Sequence, residues 1–149
     1  MKRFTFRLER LLKLKDSLEE RKKNEINKLL ADINAINVEI KNKEKQIDRE
    51  LEELSKLLVE THDVRLTLDW HSYISGLDEE KREFEQRRME KEKELQKKIK
   101  EYMQLLKEKK ILVNLRERKY LEYLKEIDRI ERSYLDEQAL SGFRRRKIG

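Results

Sequence analysis

No proline occurs anywhere in these 149 residues, and the one glycine away from the C-terminal end is Gly76. Proline lacks the backbone N–H and clashes with the preceding turn, so its absence removes the commonest cause of a helix break. The chain is free to run as very long helices with room for one reversal. Apolar spacing says how those helices pair. From Ile26 the apolar residues fall in alternating steps of three and four: Ile26, Leu29, Ile33, Ile36 and Ile40, with Lys43 in the next slot and Ile47 after it. Leu8, Leu11 and Leu18 mark a related stripe before them. Leu51, Leu54 and Leu58 resume one residue out of phase, which reads as a stutter with local unwinding.

A second register starts at Trp70 and passes through Ile74, Leu77, Phe84, Leu95, Tyr102, Leu106, Val113, Tyr120, Tyr123, Ile127, Ile130 and Tyr134. Lys81, Arg88, Lys91, Lys98, Lys109 and Arg116 stand in the intervening slots. Steps of three and four over this many heptads specify a left-handed coiled coil rather than a globular helix. Composition agrees, since 47% charged and 36% hydrophobic residues leave too little apolar volume for a compact core. The regular Leu and Ile spacing separates the chain from a disordered one.

Between the registers lies THDVRLTLDW, residues 61–70, in which Asp63, Thr67 and Asp69 can accept the orphan N–H groups of a helix start. The sequence predicts an all-α fold, a long antiparallel two-helix coiled-coil hairpin in a single domain over residues 1–149. Its first helix covers about 3–61, its turn about 62–68 with Thr67 or Asp69 as cap, its second helix about 69–140, and a basic tail 141–149. A break at Gly76 with a cap at Asp78 is the competing turn. A turn near 65 pairs position i with roughly 130 − i, in arms about 90 Å long. The segment after about residue 128 then projects beyond the N-terminus, and both ends gather at one tip.

That tip is where the charge lies. The net charge of +6 divides into +5 over residues 1–15, +4 over 141–149 and −3 between. The absence of cysteine fits a reducing compartment and gives no disulfide framework. No apolar window is long enough to span a membrane, and Arg7, Glu9 and Arg10 interrupt any signal-like apolar run, so the chain reads as soluble and unprocessed.

Catalysis finds no footing. A two-helix pairing offers no enclosing pocket. His62 and His71 are spaced too widely for a helical metal pair and have no cysteine beside them. No glycine-rich phosphate loop, metal site or cofactor site is expected. The glutamates, as in LEELSKLLVE, read as solvated faces with i,i+4 partners. Tyr102, Tyr120, Tyr123 and Tyr134 have two readings, filling the seam or anchoring a partner. Around Tyr134 the first helix has run out, so Leu135, Leu140 and Phe143 have less to pack on.

Two stretches carry a resemblance. The opening FTFRLERLLKLK and the late LRERKYLEYLKEIDRIERSYLDEQAL, with the length and the two-helix layout, resemble the FliJ family of the flagellar type III protein export apparatus. Trp70 and the FRRRK tail depart from its pattern. The resemblance implies a non-catalytic cytoplasmic protein, held at the inner membrane through the export apparatus. Its N/C-terminal tip would enter the hexameric flagellar export ATPase, and another part would contact the cytoplasmic domain of the export gate. It would also assist ATPase ring assembly and escort export chaperones. Carried to this sequence, the ATPase-side residues are Phe4, Phe6, Arg7, Leu11, Leu12, Arg116, Arg118, Leu135, Asp136 and Glu137, with the basic tail Arg144, Arg145, Arg146 and Lys147 beside them. No residues are assigned to the gate.

Three rivals stay in view. The pI near 9.4 and FRRRK suit a nucleic-acid binder, although no nucleic-acid motif is present. The amphipathic opening suits a membrane surface. A generic coiled-coil scaffold would instead form a parallel dimer.

Overall fold

A computed structural model describes residues 3–60 and 63–148, apart from the side chain of Ile148. It contains two helices, α1 over Glu9–Glu60 and α2 over Val64–Ile148. No strand occurs among the described residues. The chain is an all-α two-helix hairpin.

Local chemistry sets the helix ends. Residues 3–6 lie outside α1, unlike the expected start near residue 3. Phe4 and Phe6 are half-buried while Arg3, Thr5 and Arg7 are exposed, the period-two alternation of an extended segment. Aromatic and β-branched residues favour that conformation, and Phe-Thr-Phe offers nothing else. The Phe6 carbonyl accepts the Glu9 N–H at 3.1 Å, and Glu9 stands in the first turn, where the positive end of the helix dipole favours a carboxylate.

At the other end Asp63 caps α2, rather than Thr67 or Asp69. Its Oδ1 accepts the Arg65 N–H at 3.0 Å, and its carbonyl accepts the Thr67 N–H at 3.2 Å and the Thr67 hydroxyl at 3.0 Å. The connection thus falls at the start of the expected stretch, and Thr61 and His62 lie outside the described residues. Helix α2 continues through the basic segment to Ile148 instead of stopping near 140.

Packing divides the chain into two units, Met1–Glu19 with Gln104–Gly149, and Glu20–Met103. In Glu20–Met103, the turn unit, Leu29, Ile33, Ile40 and Leu54 of α1 and Leu77 of α2 are buried. Seam slots between them hold cations. Lys22 meets Glu101 at 2.7 Å, Lys98 meets Glu25 at 3.1 Å, Lys91 meets Asp32 at 3.8 Å, and Lys43 meets Glu80 at 2.5 Å. Arg88 donates to the Asn37 side-chain amide Oδ1 at 3.0 Å. The cation stems cover the seam while the heads reach an acid flanking the opposite slot. Pairing is antiparallel but displaced toward the turn: Lys22, expected near position 108, meets Glu101, because α2 begins as early as Val64.

The expected stutter is absent. Glu50 and Leu57 are half-buried, whereas Leu51 and Leu58 are 46% and 43% exposed. The steps Ile47, Glu50, Leu54, Leu57 stay in phase. Glu50 is tolerated in the seam beside Trp70, whose indole N–H donates to the Glu50 carbonyl at 3.0 Å.

Gly76 lies inside α2 with a helical backbone, and a Cβ there would meet nothing within 4 Å. It is therefore not a turn. Replacing it relieves the backbone entropy that glycine loses on folding, so Gly76→Ala is expected to raise stability by about 0.5–1 kcal/mol in urea unfolding followed by Trp70 fluorescence.

In Met1–Glu19 with Gln104–Gly149, the terminal unit, Leu12 of α1 and Leu105 and Leu112 of α2 are buried. Lys15 meets Glu108 at 2.6 Å, Lys109 bridges Asp16 and Glu19 at 2.7 Å each, and Arg116 meets Glu9 at 3.4 Å.

These pairs give stability a pH dependence. Hydrogen bonds donated by Lys98, Lys22 and Lys15 hold the Glu25, Glu101 and Glu108 carboxyls below their ordinary 4.5. A carboxyl depressed on folding stabilises the fold above its unfolded value and ceases to as pH falls through its folded one. Lys22, Lys43 and Lys109 are raised above 10.5 by hydrogen bonds to Glu101, to Glu80, and to Asp16 and Glu19, so their contribution persists to alkaline pH. The melting temperature followed by circular dichroism should be flat from about pH 6 to 9 and fall below 4.5. These groups are only partly covered, so added salt should flatten the fall.

Candidate docking site

The residues marked by charge and surplus aromatics lie in the terminal unit, on an arm and on an overhang. The arm, residues 3–8, precedes the regular part of α1 and lies along α2. The Phe4 ring meets Tyr120 edge-on, centroids 5.2 Å apart and planes at 69°, and Tyr123 at 5.5 Å and 45°. The two tyrosines stack at 6.4 Å and 28°. Positions three apart share a helix face, so α2 presents both rings together, and the arm fills the slot that α1 has not yet reached. Such aromatic pairs contribute about 0.5–1.5 kcal/mol each beyond the area they cover. Tyr123 is half-buried beside the arm, and Tyr120 stays 45% exposed.

Beside this cluster Phe4, Phe6, Arg7, Arg10, Arg116 and Tyr120 line one open cleft. Glu9 positions its far wall by accepting from Arg116 at 3.4 Å. The carboxylates of Glu9 and Glu117 line it too, and Arg116 is paired with Glu9, so Arg7 and Arg10 supply the charge, beside three aromatic rings, for an acidic segment carrying an apolar or aromatic side chain. Neither Arg10 nor Tyr120 is among the ATPase-side residues that the resemblance implies, although Tyr120 is one of the tyrosines read as filling the seam or anchoring a partner. The cues were Glu9, the lone acid among six early cations, and the tyrosines themselves.

The remaining expected residues separate. Leu12 is 4% exposed and belongs to the core, while its neighbour Leu11 is 38% exposed. Arg118 is exposed on α2 and does not line the cleft. Leu135, Asp136 and Glu137 are exposed on α2, at least twelve residues past Tyr123, which is about 18 Å along the axis. They form a separate surface from the Phe4–Arg7 cleft.

That surface is the overhang. From Asp128 to Lys147 every residue is exposed, including Ile130, Tyr134, Leu135, Leu140 and Phe143. Large exposed apolar groups in series mark an interaction site. Arg145, Arg146 and Lys147 occupy the last turn, where the negative end of the helix dipole favours cations, and Lys147 sits 5.7 Å from the Phe143 ring centroid.

His71 is exposed, and among the described residues no group of three His, Cys, Asp or Glu could hold a metal ion. No helix among them is long and apolar enough to cross a membrane. In comparison with known proteins, a family model described as flagellar FliJ protein matches residues 4–147. No curated protein and no solved structure matches the chain.

Proposed function

We propose, from the premise that this chain belongs to the FliJ family, that its terminal unit is the docking end of a non-catalytic coupling and assembly component of flagellar type III protein export. Family membership assigns a role connected with flagellar export, and the finer assignment concerns partners. The arm cleft and the overhang enter the pore of the hexameric export ATPase. A second surface contacts the cytoplasmic domain of the export gate, and the protein assists ring assembly and escorts export chaperones. It works in the cytoplasm, held at the inner membrane through the apparatus.

The observation that carries this reading is the extent of the family match, which includes both the arm and the overhang. The charge supports it. Arg7, Arg10 and Arg116 at the cleft and Arg144 to Lys147 on the overhang suit a pore lined by acidic groups, because complementary charge sets register and on-rate. The test is reconstitution with the purified export ATPase. The chain should bind the hexamer and raise its rate of ATP hydrolysis, with no hydrolysis by the chain alone. An ATPase that neither binds nor responds would refute the assignment.

A further inference from the structure

We propose that the overhang of α2 is also a self-association surface, on which two copies of this chain pair antiparallel. The proposal rests on geometry and charge, not on the family assignment.

The chain shows its own pairing rule. In the turn unit, Lys98 stands in an α2 seam slot and meets Glu25, which adjoins half-buried Ile26 of α1, at 3.1 Å. Lys91 meets Asp32, beside buried Ile33, at 3.8 Å. In the terminal unit, Arg116 meets Glu9, beside half-buried Leu8, at 3.4 Å. In these three pairs a seam cation faces an apolar residue and bonds an acid adjoining it, whereas Lys81 and Lys109 bond acids beside Lys43 and Lys15.

Past Tyr123 the α2 seam continues through Ile127, Ile130, Tyr134, Glu137, Ser141 and Arg144 with no α1 opposite. This series matches itself when reversed. With two copies antiparallel, Ile127 of one faces Arg144 of the other, Ile130 faces Ser141, and Tyr134 faces Glu137. The acids adjoining Ile127 are Glu126 and Asp128, one on each side, so Arg144 of the second copy finds the partner that the rule demands. Arg145, Arg146 and Lys147 follow within the same positive end.

One objection fails. Glu126 and Asp128 already bond Arg129 at 2.5 Å and Arg132 at 3.3 Å within their own helix. Yet Glu25 holds both Lys22 of its own helix at 3.6 Å and Lys98 of the other, so a second cation is accommodated. In this register Arg144–Lys147 of the second copy lies level with Leu124–Ile127, beside the groove that Arg3 and Phe4 line with Tyr123 and Glu126, so pairing brings the second copy's end against the arm. The pairing is a closed two-fold contact with every layer used twice, and it stops at a dimer. It covers Tyr134, Leu135 and the basic cluster, so a paired overhang is unavailable to any other partner.

Sedimentation of the full chain tests this without any ATPase. From about 1 to about 200 µM at low salt, the mass should rise from 18.4 kDa toward the dimer, and raising salt to about 500 mM should weaken association at least tenfold. Arg144→Glu, Arg145→Glu, Arg146→Glu and Lys147→Glu together should give a monomer throughout. So should Glu126→Lys with Asp128→Lys, each variant keeping its circular dichroism. Carrying both sets in one chain should restore the dimer. A wild type that stays monomeric, a dimer that survives either reversal, or a failure of the combined variant to recover would overturn the proposal.

Discussion

Reversing Arg7 and Arg10 to Glu, together with Arg144, Arg145, Arg146 and Lys147, is expected to lower binding to the hexameric export ATPase by at least about 100-fold, chiefly through the on-rate. All six side chains lie in the terminal unit, and among the described residues none of them forms an ion pair that the reversal would break. Folding should therefore change little. The costs are at the end of α2, where acids replace cations against the helix dipole, about 0.3–1 kcal/mol per position and confined to the last turn, and where Lys147 leaves the Phe143 ring. Surface plasmon resonance against immobilised hexamer separates the phases. A loss confined to the off-rate would indicate broken short-range contacts instead of lost steering. Arg7→Glu with Arg10→Glu alone leaves the overhang intact, so its loss of binding would report on the cleft and not on self-association.

Leu12→Ala and Phe6→Ala should fail in opposite ways. Leu12 is 4% exposed in the core of the terminal unit, and truncation of such a residue costs about 2–4 kcal/mol. Hydrogen exchange should show lost protection in residues 9–19 and 104–116, since Trp70 belongs to the other unit and does not report there. Binding should fall only as far as folding does, and low temperature should restore it. Phe6 is half-buried at the cleft, so Phe6→Ala should leave exchange nearly unchanged while binding weakens at least about tenfold, as for an aromatic anchor. A Leu12→Ala protein that is fully protected but does not bind would return Leu12 to the docking surface.

Much of the fold was legible because the seam is regular, and the errors share one cause. Choosing leucines as the markers of phase breaks down wherever a charge occupies a slot. Leu51 and Leu58 look like a stutter only if Glu50 is barred from the seam, and the Trp70 indole bond to the Glu50 carbonyl shows why it is not. Carrying the phase of Leu77 through the cations to Lys98 leads to Leu105 and Leu112, both buried, although Leu106 and Val113 beside them are equally apolar. The same choice separates Leu12 from Leu11. The capping aspartate was in view among three candidates, but only backbone geometry selects Asp63. The arm is a different failure. Its aromatics were marked, yet their extended path and the contact of Phe4 with Tyr120 and Tyr123 depend on where α1 begins, which heptad spacing does not encode.

Photo-crosslinking from single positions to the isolated export ATPase tests the central claim most directly. A benzophenone amino acid replaces Phe6 at the cleft in one protein and Val59, which is 83% exposed in the turn unit, in another. Docking by the terminal unit predicts crosslinks to the hexamer from position 6 and none from position 59. Crosslinks from position 59 alone, or from neither position while the complex forms, would contradict it.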